Sequence, residues 1–342
     1  MRDVAELAGV GLATVSRVVN HHHQVSPATA ERVRAAIKQL DFHRDDLARS
    51  LRAGQRSTSL ALLLGDLTNP FYASIAAGAM RVAQARGYAL IIGAVDEDPQ
   101  AERRLVGELI SRRIAGLILV PGQGDHSFLH DICADLPVVF ADRPGQGFAA
   151  DTVLVDNERG AYLATRHLLE GGHERIAALV APAYYTTGRR LRGYRRALRE
   201  AGKPIDPQLV RRLANGSARA AEQAMAALLG SPQPPDAIFT TTNFLTEGAV
   251  RALRHRGQQL ALVGFDDFRA ADLLPSPATV VAVDAEELGR VAMQNLLQRI
   301  DEPDAPVRRV VCTPQLIVRG SGEVRQPRTG RSKASARVVT PS

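Results

Sequence analysis

The sequence contains little cysteine and few aromatic residues. Among its 342 residues there are two cysteines, no tryptophan and only 4% aromatic residues. Cys133 and Cys312 are too few for a disulfide framework and match no metal-ligand spacing, so a reducing, cytoplasmic location is expected. No apolar run approaches the roughly 20 residues that span a bilayer. The start of the chain also lacks the basic and then apolar segments of a secretory signal.

The common short catalytic motifs are missing as well. The sequence has no G-x-G-x-x-G after a strand, no P-loop, no H-E-x-x-H and no G-x-S-x-G. An enzyme is therefore not expected, and neither a cofactor nor a metal is predicted. The content of 45% hydrophobic and 23% charged residues is typical of soluble globular proteins, and the length allows two or three domains.

The net charge of +7 is distributed unevenly. Residues 1–56 carry nine basic and six acidic side chains, and residues 325–342 carry five basic and no acidic ones, so residues 57–324 have a net charge of −1. A basic head and a basic tail on a near-neutral body favour a polyanionic partner at the ends. Charged termini that serve only solubility are the alternative.

The first 45 residues predict a small helical domain. Asp3 to Glu6 matches a capping box, Gly9 ends that helix, and a second helix is expected over Leu12–Asn20. Ser26-Pro27 is an N-cap followed by a proline at the first helical position. Two short helices with a third behind them indicate a helix-turn-helix, although a plain helical bundle gives a similar pattern. The residues expected to face its core are Val15, Val18, Val19, Val33, Ala36, Ile37 and Leu40.

From Ser59 onward the sequence alternates between apolar runs and amphipathic helices. Runs of four to six apolar residues predict strands buried on both faces of a parallel sheet. This alternation predicts doubly wound α/β architecture, and about 260 residues of it predict two lobes. The expected strands are Leu60–Leu64, Ala89–Ala94, Gly116–Val120, Val138–Ala141, Arg175–Val180, Ala237–Thr241, Leu260–Val263 and Thr279–Val283.

Several motifs together resemble the LacI-type family of bacterial transcriptional regulators. "DVAELAGVGLATVSRVVN" resembles the family's DNA reader, and the resemblance continues through "LARSLRAG", "NPFYASIAAG", "VDNERGAYLATRHLLEGGHERIA" and "VGFDD". It implies a helix-turn-helix head (1–45), a hinge helix and linker (46–56) and a two-lobed effector and dimerisation domain of the periplasmic-binder type (57–323). The N-lobe is expected over about 57–154 and 285–311, the C-lobe over about 155–281 and 312–323, and a disordered basic tail over 324–342.

The resemblance also assigns DNA contacts. Family members bind pseudo-palindromic double-stranded operators as homodimers, so both partners are expected here. A leucine at the position of Leu51 would wedge into the minor groove and kink the operator. The predicted base-reading residues are Leu12, Ala13 and Arg17, the phosphate contacts are Thr14, Ser16 and Asn20, and the hinge contacts are Ala48, Arg49 and Leu51.

Some positions depart from the family pattern. The second helix opens with Gly11, where the family favours serine, and glycine is a weaker N-cap. Before the hinge, "FHRD" replaces the usual Tyr-x-Pro-Asn, which removes a proline and places Asp45 near phosphates. The hinge geometry is therefore less well specified than the helix-turn-helix.

The effector site is expected beyond the C-terminal ends of the strands, where open α/β sheets bind ligands. Carboxylates, amides and an arginine suit a polyhydroxylated ligand, and a helix cap is the alternative for each lone carboxylate. A sugar or sugar acid is the predicted effector class, with a nucleobase as the alternative. The candidates are Asp66, Asn69, Phe71, Tyr72, Asp142, Arg190, Asn243 and Asp266.

Three consecutive histidines, His21–His23, lie between the second and third predicted helices. A purification tag does not fit, because native-looking motifs flank them. Consecutive residues also cannot all point at one metal ion. They are expected to form a solvated loop beside the DNA backbone, gaining charge below about pH 6.5.

Taken together, the sequence predicts a transcriptional regulator, expected to be a repressor, that binds specific DNA and responds to a small molecule held between two lobes. The alternative is a soluble sugar-binding protein without operator-specific DNA binding.

Overall fold

A computed structural model describes residues 1–19, 25–40, 57–133 and 135–324. Two compact units separate at Ser57 and Thr58. The three histidines, the predicted hinge helix and the basic tail from Arg325 lie outside the described residues.

The first unit contains three helices, α1 (Arg2–Ala8), α2 (Leu12–Val19) and α3 (Pro27–Gln39). Gly9 ends α1 in the left-handed conformation with φ +62°, which glycine adopts without steric cost. The Gly11 carbonyl accepts hydrogen bonds from the amides of Thr14 and Val15, which starts α2. The core of the unit is made of Val4, Ala5, Ala8, Val15, Val18, Val33 and Ala36.

Two local predictions for this unit were wrong. The first helix begins at Arg2 with Met1 as its N-cap, so Asp3 lies in the first turn rather than at a capping box. There its charge suits the positive end of the helix dipole. Leu40, expected in the core, is 43% exposed because α3 ends at Gln39. The predicted cap at Ser26 is confirmed, since its side chain accepts a hydrogen bond from the Thr29 amide.

The N-lobe of the second unit is a parallel sheet with strand order β11-β5-β4-β3-β1-β2. Its strands are β1 (Ser59–Leu64), β2 (Ala89–Ala94), β3 (Leu117–Leu119), β4 (Val138–Asp142), β5 (Asp151–Val155) and β11 (Arg309–Cys312). Its helices are α4 (Pro70–Ala85), α5 (Pro99–Ser111), α6 (Phe128–Ile132) and α11 (Ala285–Asp301).

The C-lobe is a second sheet with strand order β12-β10-β9-β8-β6-β7, parallel except that β12 runs antiparallel to β10. Its strands are β6 (Ile176–Val180), β7 (Val210–Arg212), β8 (Ala237–Thr240), β9 (Ala261–Phe265), β10 (Thr279–Ala282) and β12 (Gln315–Ile317). Its helices are α7 (Asn157–Glu170), α8 (Tyr185–Glu200), α9 (Ala218–Leu229) and α10 (Asn243–His255).

All eight predicted strands are present, and the doubly wound fold class is confirmed. The sequence did not predict β5, β7, β11 and β12. Three of these, β7, β11 and β12, lie at sheet edges, whereas β5 is an interior strand whose apolar run, Val153–Val155, is only three residues long. Strand β2, expected to be buried on both faces, is half exposed because it lies at the edge of its sheet.

The chain crosses between the lobes three times, after β5, after β10 and between β11 and β12. Val155 and Cys312, placed in the C-lobe by the sequence, are the last residues of N-lobe strands.

Helix pairs within each lobe pack closely through glycine. A Cβ atom at Gly193 of α8, for example, would collide with the carbonyl oxygen of Glu158 on α7.

Candidate functional site

The outer face of α2 is the candidate DNA-reading surface in the first unit. Val15 and Val18 anchor the inner face of the helix in the core, which fixes the face that points outward. Leu12, at the start of the helix, is 46% exposed and so is accessible on this outer face. The predicted DNA contacts on α2 are exposed or half-buried: Leu12, Ala13, Thr14, Ser16 and Arg17.

The remaining predicted DNA contacts, Asn20, Ala48, Arg49 and Leu51, lie outside the described residues. Their roles therefore stay predictions from the sequence.

The second unit contains a cavity of about 500 Å³ whose walls come from both lobes. The carboxyl ends of β1, β4 and β9 deliver polar side chains to it, as expected for parallel sheets. The volume falls in the usual range for small-molecule sites. Of the predicted effector residues, those that line it are Asp66, Asn69, Phe71, Tyr72, Asp142, Arg190 and Asp266.

Arg190 organises the C-lobe half of this cavity. Its Nη1 donates to Asp266 Oδ2 (2.8 Å) and to the Thr241 carbonyl oxygen (2.6 Å), and its Nε donates to Asn157 Oδ1 (2.7 Å). The guanidinium group also lies 3.6 Å from the ring centroid of Phe265. Arg190 and Asp266 are 3% and 6% exposed. This buried ion pair is well partnered before any ligand arrives.

The N-lobe half is built around Asp142 and Arg143. Arg143 donates to both carboxylate oxygens of Glu97 (2.5 and 2.9 Å) and to the Tyr72 hydroxyl (2.9 Å), which in turn donates weakly to Asp142 Oδ2 (3.4 Å). Two buried atoms, Asp142 Oδ1 and Arg143 Nε, have no hydrogen-bond partner among the described residues, although Arg143 Nε lies 3.7 Å from Asp142 Oδ2. An acceptor and a donor at the cavity wall are therefore left to hydrogen-bond with molecules other than the protein.

Three of the four cavity carboxylates have left-handed backbone, Glu97 (φ +61°) among them, and the other two, Asp142 and Asp266, hold corresponding positions in the two lobes. Asp142 ends β4 with φ +66°, and Asp266 follows β9 with φ +67°. Left-handed backbone is unusual for residues other than glycine and clusters at functional sites. Neither residue caps a helix, so the helix-cap alternative does not describe these two carboxylates.

Asn69 and Asn243 join the lobes directly. Asn243 Nδ2 donates to Asn69 Oδ1 at 3.0 Å, and that oxygen also accepts from the Phe71 amide and caps α4. Asn243 is fully buried and lies outside the cavity lining. The guanidinium group of Arg143 also lies 5.3 Å from the ring centroid of Tyr184 in the other lobe. The structure therefore places Asn243 as a contact between the lobes.

Burial raises the pKa of two side chains in the N-lobe half, Asp142 and Tyr72. Desolvation raises the pKa of the Asp142 carboxyl group, against the opposing effect of Arg143 and Arg190. Desolvation, reinforced by the charge of Asp142, raises the pKa of Tyr72 far above its usual value. The Tyr72 hydroxyl therefore keeps its proton and remains a hydrogen-bond donor.

Sequence reasoning missed several residues of this cavity. Glu97 lies three residues after the end of β2 and Arg143 follows Asp142, so the rule that selects polar residues after strands applies to both. Asn157, which lies outside the cavity lining, was also not selected, although it supports Arg190 from the first turn of α7. Thr186, Thr187 and Tyr184 also come from a helix start, where the sequence marks only the cap.

A helix-turn-helix unit combined with a two-lobed α/β unit that encloses a polar cavity defines the class of ligand-controlled DNA-binding regulators. The profile described as "Bacterial regulatory proteins, lacI family" matches residues 1–45. The profile "Periplasmic binding proteins and sugar binding domain of LacI family" matches residues 57–319. The chain belongs to the LacI family of bacterial transcriptional regulators, which confirms the family predicted from the sequence.

Relatives of established function match nearly the whole chain. The ribose operon repressor of Escherichia coli (strain K12) is 34% identical over 329 residues, covering 94% of this chain and 99% of that protein. The transcriptional repressor CytR of the same strain is 30% identical over 331 residues, covering 94% and 95%. The predicted function, a transcriptional regulator, is confirmed at this level, and the family consists of regulators rather than enzymes.

Solved structures agree with this assignment. The lac repressor dimer bound to operator and the anti-inducer ONPF superposes with a TM-score of 0.82 at 27% identity, covering 94% of this chain and 98% of that one. A complex of the transcriptional regulator CelR with cellobiose gives a TM-score of 0.71 at 32% identity over the same shares. Among the described helices, none is long and apolar enough to cross a membrane.

Proposed function

We propose that this protein is a cytoplasmic homodimeric repressor whose affinity for operator DNA is controlled by a neutral sugar bound in the cavity between the lobes. The observation that carries the ligand assignment is the pair of unsatisfied buried atoms, Asp142 Oδ1 and Arg143 Nε. A sugar hydroxyl both donates and accepts, so one hydroxyl group is able to satisfy a carboxylate oxygen and a guanidinium nitrogen together.

The charge of the cavity wall favours a neutral sugar over a sugar acid. Four carboxylates and two guanidinium groups line the cavity. Both guanidinium groups are already engaged, Arg190 by Asp266 and Arg143 by Glu97. An anionic ligand would meet excess negative charge without a free cation, whereas hydroxyl groups suit carboxylate acceptors. The related proteins named for ribose and bound to cellobiose point to the same ligand class.

The outer face of α2 is the proposed operator-reading surface. Arg17 is exposed near the end of the helix, and a guanidinium group matches a guanine edge in the major groove. Thr14 and Ser16 have short hydroxyl side chains suited to phosphate oxygens. The exposed Leu12 and Ala13 suit apolar contact with a thymine methyl group.

The second unit presents apolar surface suited to a homodimer. Ile91 and Ile92 of the edge strand β2 are each 37% exposed, and Leu273 of the C-lobe is 80% exposed. Exposed apolar side chains of this size at a sheet edge are typical of interaction surfaces. A two-fold dimer of readers would match a pseudo-palindromic operator.

A first experiment tests the ligand class directly. Thermal unfolding of the full-length protein is measured with a panel of ribose, glucose, galactose, cellobiose, gluconate, galacturonate and adenosine. A neutral sugar is expected to raise the unfolding temperature in a concentration-dependent manner, because binding to the folded state stabilises it. Stabilisation by a sugar acid or nucleoside, with no response to neutral sugars, would contradict the proposal.

A second experiment tests the DNA reader. A binding site is selected from random double-stranded DNA, and gel shifts then compare the wild type with Arg17→Gln and with Arg104→Gln, an exposed arginine of the second unit. Arg17→Gln is expected to lose about 1–3 kcal/mol of preference for the selected site, while the control keeps it. An unchanged preference in Arg17→Gln would rule out a base-reading role.

A further inference from the structure

A second concavity, of about 450 Å³, opens where β5 and β11 of the N-lobe meet α7 and α8 of the C-lobe. It shares no lining residue with the effector cavity. Five arginines line it, more than any other residue type, and we refer to it as the arginine groove. They are Arg159, Arg166, Arg189, Arg196 and Arg309.

The carboxylates near the groove do not neutralise it. Arg166 and Arg196 each pair with a glutamate one helical turn away, and Glu158 approaches Arg189 at 3.5 Å. Asp156 caps α7 by accepting from the Arg159 amide. The guanidinium groups of Arg159 and Arg309 make neither a hydrogen bond nor an ion pair with any described residue. Two cations therefore remain available for an external anion.

These two arginines come from different lobes. Arg159 lies in the first turn of α7, and Arg309 is the first residue of β11, with its side chain on the same face as Val311. Guanidinium groups bind phosphate through paired hydrogen bonds in a fixed plane. An anion held by both arginines would tie the N-lobe to the C-lobe beside the chain crossovers.

The aromatic residues of the groove restrict the kind of anion. The guanidinium carbon of Arg196 lies 4.5 Å from the ring centroid of Tyr162, and that of Arg189 lies 5.4 Å from the ring centroid of Tyr185. Both rings thus already have a cation on one face, which stabilises the arginines in place. A nucleobase would find only one free face on each ring, whereas a phosphate group on a small polar ligand needs neither ring.

One buried side chain connects the groove with the effector cavity. Asn157 lines the groove and is 1% exposed. Its Oδ1 accepts from Arg190 Nε at 2.7 Å, and its Nδ2 donates to the carbonyl oxygen of Val155, where β5 ends. A ligand in the groove would therefore lie one residue away from the ion pair that shapes the effector site.

We propose that the arginine groove binds a small organic phosphate of the sugar-phosphate class, bridged between Arg159 and Arg309, as a second regulatory ligand distinct from the sugar in the cleft. The proposal concerns a separate site, and its test requires neither the operator nor the cleft ligand.

Isothermal titration calorimetry of the full-length protein tests it with fructose 1,6-bisphosphate as the probe. Fructose serves as the uncharged control, and sulfate at equal ionic strength serves as the control for simple anion binding. The bisphosphate is expected to bind, while fructose and sulfate give no saturable signal. No saturable binding of the bisphosphate, or equal binding of sulfate, would overturn the proposal.

Two double variants locate the site. Arg159→Gln/Arg309→Gln is expected to weaken binding of the bisphosphate about tenfold or more, because two charge-assisted contacts are lost. Arg211→Gln/Arg212→Gln removes the same charge from exposed positions of β7 outside the groove and is expected to change binding less than about twofold. Equal weakening in both double variants would indicate non-specific attraction and refute the site.

Amide hydrogen exchange with and without the bisphosphate then distinguishes the groove from the basic head. Slower exchange is expected in peptides covering residues 154–166 and 306–312. Protection confined to residues 1–40 would instead place the anion on the DNA-reading unit and contradict the inference.

Discussion

The C-lobe half and the N-lobe half of the cavity between the lobes contain similar residues, but they differ in how many of their buried polar atoms have hydrogen-bond partners. In the C-lobe, the Arg190–Asp266 pair is supported by Asn157, the Thr241 carbonyl and the ring of Phe265. In the N-lobe, Asp142 and Arg143 sit at the corresponding strand end, but each retains a buried atom without a partner. The C-lobe half is therefore preorganised, whereas under the proposed function a ligand satisfies the remaining polar atoms of the N-lobe half.

This difference predicts that substitutions in the C-lobe half mainly change the stability of the fold, whereas substitutions in the N-lobe half mainly change ligand affinity. Removing one member of a satisfied buried ion pair leaves the other charge uncompensated, so the folded protein is destabilised. Removing a group that is already unsatisfied costs the fold little and removes a ligand contact instead. A substitution in the C-lobe half should therefore lower the unfolding free energy, and a substitution in the N-lobe half should lower the affinity for the ligand.

The largest effect is expected for Arg190→Met. It leaves the Asp266 carboxylate buried without its cation, and unfolding of the second unit is expected to cost about 3–5 kcal/mol less free energy. Urea unfolding followed by circular dichroism measures this, with Arg192→Met as the exposed control on the same helix. Equal stabilities of the two variants would contradict the preorganised state of the C-lobe half.

Asp142→Asn is expected to weaken sugar binding while leaving the stability of the fold nearly unchanged. Affinity for the sugar identified by thermal unfolding should fall roughly 10- to 100-fold, because a hydrogen bond to a charged group is lost. The unfolding free energy should change by no more than about 1 kcal/mol or should rise, since an incompletely solvated carboxylate is removed. Asp131→Asn, exposed in the same lobe, is the control. A large loss of stability in Asp142→Asn would refute the comparison.

Sugar binding should also depend on pH through Asp142. Burial raises the pKa of this carboxyl group in the free protein, and a hydroxyl donor prefers the ionised form. The affinity should therefore fall as the pH is lowered through a range above the usual carboxyl pKa of about 3.9, approaching about tenfold per pH unit below the raised pKa. Calorimetric titrations at several pH values measure this. The Asp142→Asn variant should lose the dependence, and a wild type without it would exclude this role.

The smallest effect is expected at the contact between the lobes. Asn243→Ala removes the hydrogen bond to Asn69, worth about 1 kcal/mol, and should weaken sugar binding about fivefold by disfavouring the arrangement described here. Asn69→Ser is the second variant, because serine still caps α4 but is too short to reach Asn243. Asn69 also lines the cavity, so this substitution should weaken sugar binding at least as much, and a smaller effect than that of Asn243→Ala would show that the contact itself is not responsible.

The sequence predicted the framework of the cavity better than its chemistry. Continuous apolar runs identified the interior strands except β5, and their ends identified Asp142 and Asp266, while Arg190 was selected after the start of a predicted helix; the structure brings all three to one cavity. Edge strands such as β7 and β11 escaped because one face is open to solvent and carries charge. The roles of Asn157 and Asn243 depend on partners 33 and 174 residues away, Arg190 and Asn69, and no local pattern reveals such pairs.

Because α7 and α8 pack closely at Gly193, we expect this residue to influence the ligand response although it does not line the cavity. Gly193 lies on the same helix as Arg190, and its contact partner, Glu158, is the neighbour of Asn157. A methyl group there would force the two helices apart and lengthen the bond between Arg190 and Asn157. Substitution at this position is thus expected to change the affinity for the effector, although Gly193 does not line the cavity. Related chains would be able to diverge in effector preference without any change in the residues that line the cavity.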